Sequence, residues 1–203
     1  MFKLQITIPK LAFLSILILC LMFINSLTFS QEEVKMKKVV MIIASDGFRD
    51  EELLEPKEIL EDSGIEVKIA STSLSMAKGM LGAKVKPDML LKDVKVEDFL
   101  AIIFVGGIGA SQYWDDPLAH QIAQEAISKN RILAAICIAP VTLAKAGVLK
   151  GKRATVWSSE ASQLKSAGAN YTARPVEKDG NIITASGPFA AREFAEEILK
   201  ALE

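Results

Sequence analysis

Short apolar runs recur along most of the chain, and each is bounded by charged residues or glycines. Runs of this length that are rich in Val and Ile are typical of strands buried on both faces of a sheet. The predicted strands are KKVVMIIAS, IEVKIAS, AIIFVGG, RILAAIC and RATVW, followed by two strands around an Asp-Gly turn in ARPVEKDGNIITAS.

Amphipathic segments with apolar residues at helical spacing lie between these strands. The predicted helices are RDEELLEPKEILEDSG, DPLAHQIAQEAISKN, a segment from about Pro140 to Ala146, EASQLKSAG and PFAAREFAEEILKALE. The glycine-punctuated segment MAKGMLGAKVKPDMLLKDV is predicted to form a small hairpin or an edge strand. Because strands alternate with helices, we expect an α/β fold with a mainly parallel sheet. In such a sheet, a functional site lies beyond the carboxyl ends of the strands.

The first thirty residues follow a different pattern. Two lysines precede an uncharged apolar run over residues 11–24, and the sequence TFS at residues 28–30 offers a cleavage site. An apolar run of this length suits a signal peptide better than a full membrane span. We therefore predict that residues 1–30 are a signal peptide and that residues 31–203 form one exported domain. An uncleaved anchor at residues 11–24, which would be the chain's only membrane contact, is the alternative.

The composition and charge of the chain argue against several classes of function. Half of the residues are hydrophobic and 24% are charged, as in a globular domain with one core. The formal net charge of −1 becomes −3 without the two N-terminal lysines, which argues against nucleic-acid binding. No cofactor is predicted, since GIGASQ and GVLKGKR both lack the spacing of phosphate-binding loops. One cysteine and one histidine in the predicted domain cannot build a usual zinc site, so no metal is predicted.

Cys137 is the only cysteine outside the N-terminal segment, so the predicted mature domain has no internal disulfide. It lies where a predicted strand gives way to a helix. The free N–H groups and the dipole at a helix start favour an anion, so we expect a lowered thiol pKa. The amide of Ile138, with one from Gly106 or Gly107, could form an oxyanion hole. A buried core cysteine is the equally compatible alternative.

A nucleophilic cysteine usually has a histidine partner. His120 lies off the apolar stripe of its predicted helix, so we interpret it as a surface residue and assign it to no triad. Most acids in the loop after the first strand should stabilise the start of the next helix. One of them could instead turn inward, stay protonated beside the thiol and move protons. The candidates are Asp46, Asp50, Glu51, Glu52 and Glu55.

Four motifs together resemble the ThiJ/PfpI superfamily (the DJ-one superfamily) over about residues 37–202. They are EELLEP, FVGGIGA, AAICIAPVTLAKAGVLKGKRATVW and YTARPVEKDGNIITASGP, the last as in the DJ-one branch. The resemblance implies a flavodoxin-like three-layer sandwich with Cys137 at a nucleophile elbow. It also implies that Glu52 is the protonated carboxyl, that Gly107 and Ile138 supply oxyanion-hole amides, and that the protein is a homodimer or larger oligomer.

Three positions depart from the pattern that the resemblance suggests. Ile138 stands where PfpI-type peptidases carry the histidine after the cysteine, which puts peptidase activity in doubt. Ala139 replaces the usual glycine, which predicts a tighter elbow. Trp157 stands where relatives often have histidine or tyrosine; it could wall a small apolar pocket or simply belong to the core.

The resemblance does not fix the substrate, because members are described as peptidases, chaperones, glutathione-independent glyoxalases, deglycases and oxidative-stress sensors. The first hypothesis is an enzyme that acts through Cys137 and Glu52 on small reactive carbonyls or on proteins modified by them. The second is a sensor or chaperone in which Cys137 is oxidised without turnover. The third is a PfpI-type cysteine peptidase.

Overall fold

The apolar runs form strands, and the computed structural model describes residues 37–203. The predicted signal peptide or anchor lies outside the described residues and stays a prediction. No helix in residues 37–203 is both long and apolar enough to cross a membrane. The strands are β1 (Lys38–Ile42), β2 (Asp46–Phe48), β3 (Glu66–Ser71), β4 (Ala77–Gly79), β5 (Lys84–Val85), β6 (Met89–Leu90), β7 (Ala101–Phe104), β8 (Ile132–Ile136), β9 (Arg153–Ala154), β10 (Asn170–Tyr171), β11 (Val176–Asp179) and β12 (Ile182–Ala185).

Seven of these strands form the central sheet, in the order β11-β12-β8-β7-β1-β3-β6. Neighbouring strands are parallel except β11 and β12, which form the predicted hairpin. Without the edge strands β6 and β11, the strands follow the flavodoxin-like order 2-1-3-4-5 when they are numbered along the chain. The direction of the strand order reverses between β1 and β7, and a crevice opens at the carboxyl ends of strands at such a point.

Helices cover both faces of the sheet. They are α1 (Asp50–Asp62), α2 (Pro117–Ser128), α3 (Pro140–Lys145), α4 (Ala161–Ser166) and α5 (Ala191–Leu202). Successive side chains of a strand point to opposite faces. Val39 and Met41 of β1 therefore belong to the core under α1 and α5, whereas Val40 and Ile42 belong to the core under the other three helices. The predicted three-layer, flavodoxin-like α/β fold is confirmed.

Two small sheets modify the predicted arrangement. The run RATVW does not join the central sheet, because only β9 is extended there and it pairs with β10 instead. The chain then turns, and the backbone N–H of Trp157 reaches the carbonyl oxygen of Cys137. The glycine-punctuated segment forms both the β4–β5 hairpin and the edge strand β6. The hairpin pairs through β4 with β2, a three-residue strand that no apolar pattern predicts.

Candidate active site

Cys137 occupies a strained turn at the carboxyl end of β8. Its φ angle is +63°, in the left-handed region, which costs a residue with a side chain about 1–2 kcal/mol. Two backbone hydrogen bonds hold this turn: Cys137 N–H donates to Ala185 O (2.9 Å), and Trp157 N–H donates to Cys137 O (2.8 Å). Pro140 then begins α3, where its missing N–H costs no hydrogen bond. This turn places the Cys137 thiol outside β8, at the carboxyl ends of the central strands.

Glu52 comes to the same place from the first turn of α1, and its side chain is fully buried. Gly106 lies between this carboxyl and the cysteine. A Cβ atom at Gly106 would collide with Glu52 Oε2 and would lie only 2.5 Å from Cys137 Cβ. The absence of a side chain at residue 106 therefore allows the acid and the thiol to approach each other.

Burial controls the protonation of this pair. It raises the pKa of Glu52 to about 8, although the Cys137 thiol, Arg49 and the Gly106 amide each favour the ionised carboxylate. Among the described residues, neither Glu52 oxygen has a hydrogen-bond partner with good geometry. Desolvation by the protein is thus the dominant effect, and Glu52 is mostly a neutral acid at pH 7.

Burial also raises the pKa of Cys137, to about 12, and a charge on Glu52 adds to the effect. The amides of Gly107 and Ile138 act in the opposite direction. The expectation of a lowered thiol pKa is therefore wrong: only 9% of Cys137 is exposed, and the six-residue helix α3 cannot offset that desolvation. The pair loses its protons in two coupled steps, and the first, near pH 8, places the negative charge mainly on Glu52.

The backbone amides that were predicted to form an oxyanion hole lie next to different side chains. Those of Gly107 and Ile138 act on the Cys137 sulfur, whereas that of Gly106 acts on Glu52. Gly107 has a φ of +96°, and a Cβ there would collide with Arg49 N and Gly47 O. Glycine at residue 107 therefore lets the backbone pass close to β2 and to Arg49, the residue before α1, while its N–H faces the thiol.

A cavity of about 290 Å³ opens above this pair. Residues predicted from the sequence line part of it: Glu52, Gly107, Cys137, Ile138 and Trp157. The rest of the lining was not predicted from the sequence; it consists of Arg49, Met80, Ile108, Pro188 and Phe189. Arg49 and Ile108 lie within the two loops that flank the predicted site, so their position was a usable signal. Met80 comes from the β4–β5 hairpin and Phe189 from the turn after β12, and no local pattern marks either one.

The other candidate acids do not face the thiol. Asp50 is buried, and its two carboxylate oxygens accept hydrogen bonds from Leu81 N (2.8 Å) and Ala83 N (2.7 Å) in the hairpin. Glu51 pairs with Arg49 (Oε2···Nε 2.8 Å). Neither Asp46 nor Glu55 lines the cavity. Glu52 alone among the five lies beside Cys137.

His120 and Trp157 also differ from simple surface or core residues. His120 is half-buried, and its Nε2 lies 2.8 Å from Trp114 O, so it is not the free surface residue that we expected. It does not line the cavity. Trp157 lines the cavity and remains 41% exposed, with its ring packed where Gly187 leaves space. Trp157 therefore forms part of the cavity wall rather than part of the core.

A strained cysteine at the end of a central parallel strand, beside a buried carboxyl, defines a flavodoxin-like α/β protein with a nucleophile elbow. The chain belongs to the DJ-1/PfpI family, which matches residues 37–201. The resemblance to the ThiJ/PfpI superfamily is thereby confirmed.

Individual relatives agree with this assignment. The chain is 41% identical to the uncharacterised protein MJ0967 of Methanocaldococcus jannaschii, over 94% of this chain and 97% of that protein. It is 30% identical to a Pyrococcus abyssi protein named deglycase PYRAB04690, over 81% and 99%. It is 28% identical to the Caenorhabditis elegans protein named glutathione-independent glyoxalase DJR-1.2, over 82% and 89%. The solved ThiJ/PfpI domain protein from Brachyspira murdochii has a TM-score of 0.80 and 33% identity, over 81% of this chain and 95% of that one.

Proposed function

We propose that the protein converts small reactive carbonyls, or removes them from modified proteins, without glutathione. The observation that carries this proposal is the buried neutral acid Glu52 beside Cys137, under a cavity that has two amide donors. That arrangement supplies a nucleophile, a proton donor and acceptor, and a place for a developing oxyanion. The names of the Pyrococcus abyssi and Caenorhabditis elegans relatives describe activities of this kind.

With methylglyoxal as substrate, the reacting form of the pair is the Cys137 thiolate with protonated Glu52. The sulfur bonds to the aldehyde carbon, and the π electrons move to the oxygen, which the Gly107 and Ile138 amides stabilise. Glu52 gives its proton to that oxygen and forms a hemithioacetal. The carboxylate then takes the proton from the former aldehyde carbon and returns it to the neighbouring carbonyl carbon, while the hydroxyl proton moves between the two oxygens.

This transfer oxidises the first carbon to a thioester and reduces the second to an alcohol, so no external oxidant is needed. Water then breaks the C–S bond, which releases lactate and one proton and restores the pair with one negative charge. Ile138 contributes an amide but no general base of its own. Glu52 therefore carries the proton transfers that a histidine at residue 138 would share, and the peptidase hypothesis gains no support from the site.

The cavity lining favours an uncharged substrate. Met80, Ile108 and Phe189 are apolar and partly or fully exposed at the cavity mouth. Among residues 37–203, Arg49 is the only cationic side chain in the lining, and it is paired with Glu51. A small 2-oxoaldehyde matches this environment better than a carbonyl compound that carries a carboxylate or a phosphate.

Purified protein given methylglyoxal without glutathione is expected to consume it and release an equal amount of lactate. The same protein, with Cys137 blocked beforehand by iodoacetamide, should produce none because the sulfur can no longer bond to the aldehyde. Lactate is measured by a coupled enzymatic assay, and methylglyoxal by its own derivatisation. Consumption without lactate, or equal lactate from the blocked protein, would contradict the proposal.

A redox sensor is the second candidate, and the same neutral acid favours it. A protonated carboxyl beside the sulfur can donate a hydrogen bond to a sulfinate oxygen, which would stabilise Cys137 after it has gained two oxygen atoms. Among the described residues, neither Glu52 oxygen has a hydrogen-bond partner with good geometry. The carboxyl proton is therefore free to bond to a sulfinate oxygen of Cys137. The sensor therefore predicts oxidation confined to Cys137 and no turnover of carbonyls.

We also propose that the protein forms a homodimer through the apolar residues around the cavity mouth. Phe189 is fully exposed, Ile108 is 70% exposed and Met80 is 40% exposed, and all three line the cavity. Apolar side chains that lie together at a surface commonly mark an interface. Light scattering after gel filtration should give twice the monomer mass, and Phe189→Glu should shift the protein toward the monomer. A matched Leu74→Glu variant, altered outside the cavity lining, should remain dimeric; a monomeric wild-type protein would refute the proposal.

A further inference from the structure

Donors from two distant segments hold the two carbonyl groups at the elbow. Cys137 O accepts the backbone N–H of Trp157 (2.8 Å). Ile138 O accepts the indole N–H of Trp114 (Nε1···O 3.2 Å), in addition to the backbone N–H of Val141 (3.2 Å). Trp114 does not line the cavity, so it would reach the chemistry only through Ile138.

These two contacts determine the direction of the Ile138 amide. In a trans peptide the C=O and N–H bonds point in opposite directions. With Cys137 O held by Trp157 on one side, the Ile138 N–H points the other way, toward the thiol. The indole of Trp114 holds the following peptide group, so Ile138 is restrained on both sides. Such restraint matters here, because the left-handed Cys137 lies in a strained conformation that persists only when its surroundings hold it.

Trp114 is itself firmly placed. It follows the 3₁₀ turn Ile108–Tyr113, and its carbonyl oxygen accepts a hydrogen bond from His120 Nε2 (2.8 Å). The ammonium group of Lys145 lies 5.9 Å from the centre of its ring and also pairs with Asp115 (2.8 Å). Ile138 precedes α3, and Lys145 is its last residue. The Trp114 ring therefore interacts with residues at both ends of the short helix that follows Cys137.

We propose that Trp114 is a positioning residue for the nucleophile elbow, where its indole N–H fixes Ile138 so that the Ile138 amide faces the Cys137 sulfur. The effect on turnover rests on the proposed carbonyl chemistry, whereas the effect on the thiol does not. His120, the one histidine in residues 37–203, does not line the cavity. The positioning role of Trp114 explains why His120 is nevertheless half-buried, because His120 donates a hydrogen bond to the carbonyl oxygen of Trp114.

The test is Trp114→Phe, which removes the N–H donor and keeps an apolar ring. One hydrogen bond of this kind changes an equilibrium by about 3- to 10-fold. We therefore expect kcat for methylglyoxal to fall by about 3- to 10-fold, while KM changes little. The pH midpoint for alkylation of Cys137 by iodoacetamide should rise, because a misdirected Ile138 amide no longer stabilises the thiolate.

Tyr171→Phe is the matched control. Tyr171 lies on β10, with Lys165 Nζ 5.3 Å from its ring centre, and it also loses one polar group while it keeps its ring. It should retain the wild-type kcat and alkylation profile at a temperature where all variants are folded. Unchanged kcat and alkylation in Trp114→Phe, or a raised KM with unchanged kcat, would overturn the proposal. If the wild-type protein consumes no methylglyoxal, the alkylation profile still tests Trp114 separately from the proposed function.

Discussion

Cys137→Ala is expected to abolish lactate formation from methylglyoxal, with a loss of at least about three orders of magnitude. Every covalent step of the proposed reaction involves the sulfur, and no second thiol lies in residues 37–203 to replace it. Alanine and cysteine pay a similar penalty for the left-handed backbone at residue 137, so the variant should fold. Initial rates over a range of substrate concentrations measure the effect.

The same variant separates the two candidate functions. After mild peroxide treatment, peptide mass analysis should find two added oxygen atoms on the wild-type peptide that contains Cys137, and none on the alanine variant. Mapping by peptide is required because the chain also has seven methionines, which gain oxygen themselves. Oxidation of Cys137 without lactate formation would select the sensor, whereas turnover that survives in Cys137→Ala would refute both functions.

Much of this site follows from the sequence because it lies at the ends of strands. β1 and β8 are buried along almost their whole length, so their apolar runs stop where the chain must turn toward solvent. That boundary places Cys137 at the sheet edge. The parallel arrangement of the strands then brings the diglycine loop to the same edge.

The choice among acids could not be made from local pattern. Asp50 and Glu52 lie in the same helical turn, both are buried, and both would complement the dipole at the start of α1. Tertiary contacts decide between them: the β4–β5 hairpin occupies Asp50, whereas Gly106 leaves space for Glu52 beside Cys137. Only the family resemblance indicated Glu52 in advance.

The protonation of the thiol was mispredicted for a related reason. Helix position can be read from the sequence, but the depth of burial depends on segments far along the chain. Trp157 and Phe189 come from distant turns and help to enclose the cavity. Burial raises the pKa of Cys137 more than the amides of Gly107 and Ile138 lower it, so the sulfur does not have the low pKa that its position before a helix predicts.

Glu52→Gln should impair turnover and change the pH at which the Cys137 thiol ionises. In the wild-type protein Glu52 ionises near pH 8, and its charge helps to raise the pKa of Cys137 to about 12, so the alkylation rate should keep rising well above pH 8. Glutamine carries no charge, so one cause of the raised thiol pKa is removed and the alkylation midpoint should fall. Because the variant also loses the group that donates and accepts protons in the reaction, we expect kcat for methylglyoxal to fall by about 10²- to 10⁴-fold.

Stability should change in the opposite sense, which separates a chemical role from damage to the fold. Unfolded Glu52 loses its proton near its ordinary pKa of 4.5, whereas folded Glu52 keeps its proton until about pH 8. The unfolded state thus binds fewer protons between these values, so this group makes the wild-type protein less stable as the pH rises. Glu52→Gln should lack that loss, and its melting temperature relative to wild type should increase from pH 5 to pH 8. An unchanged alkylation midpoint, or a melting difference independent of pH, would mean that Glu52 is not the neutral proton donor beside Cys137.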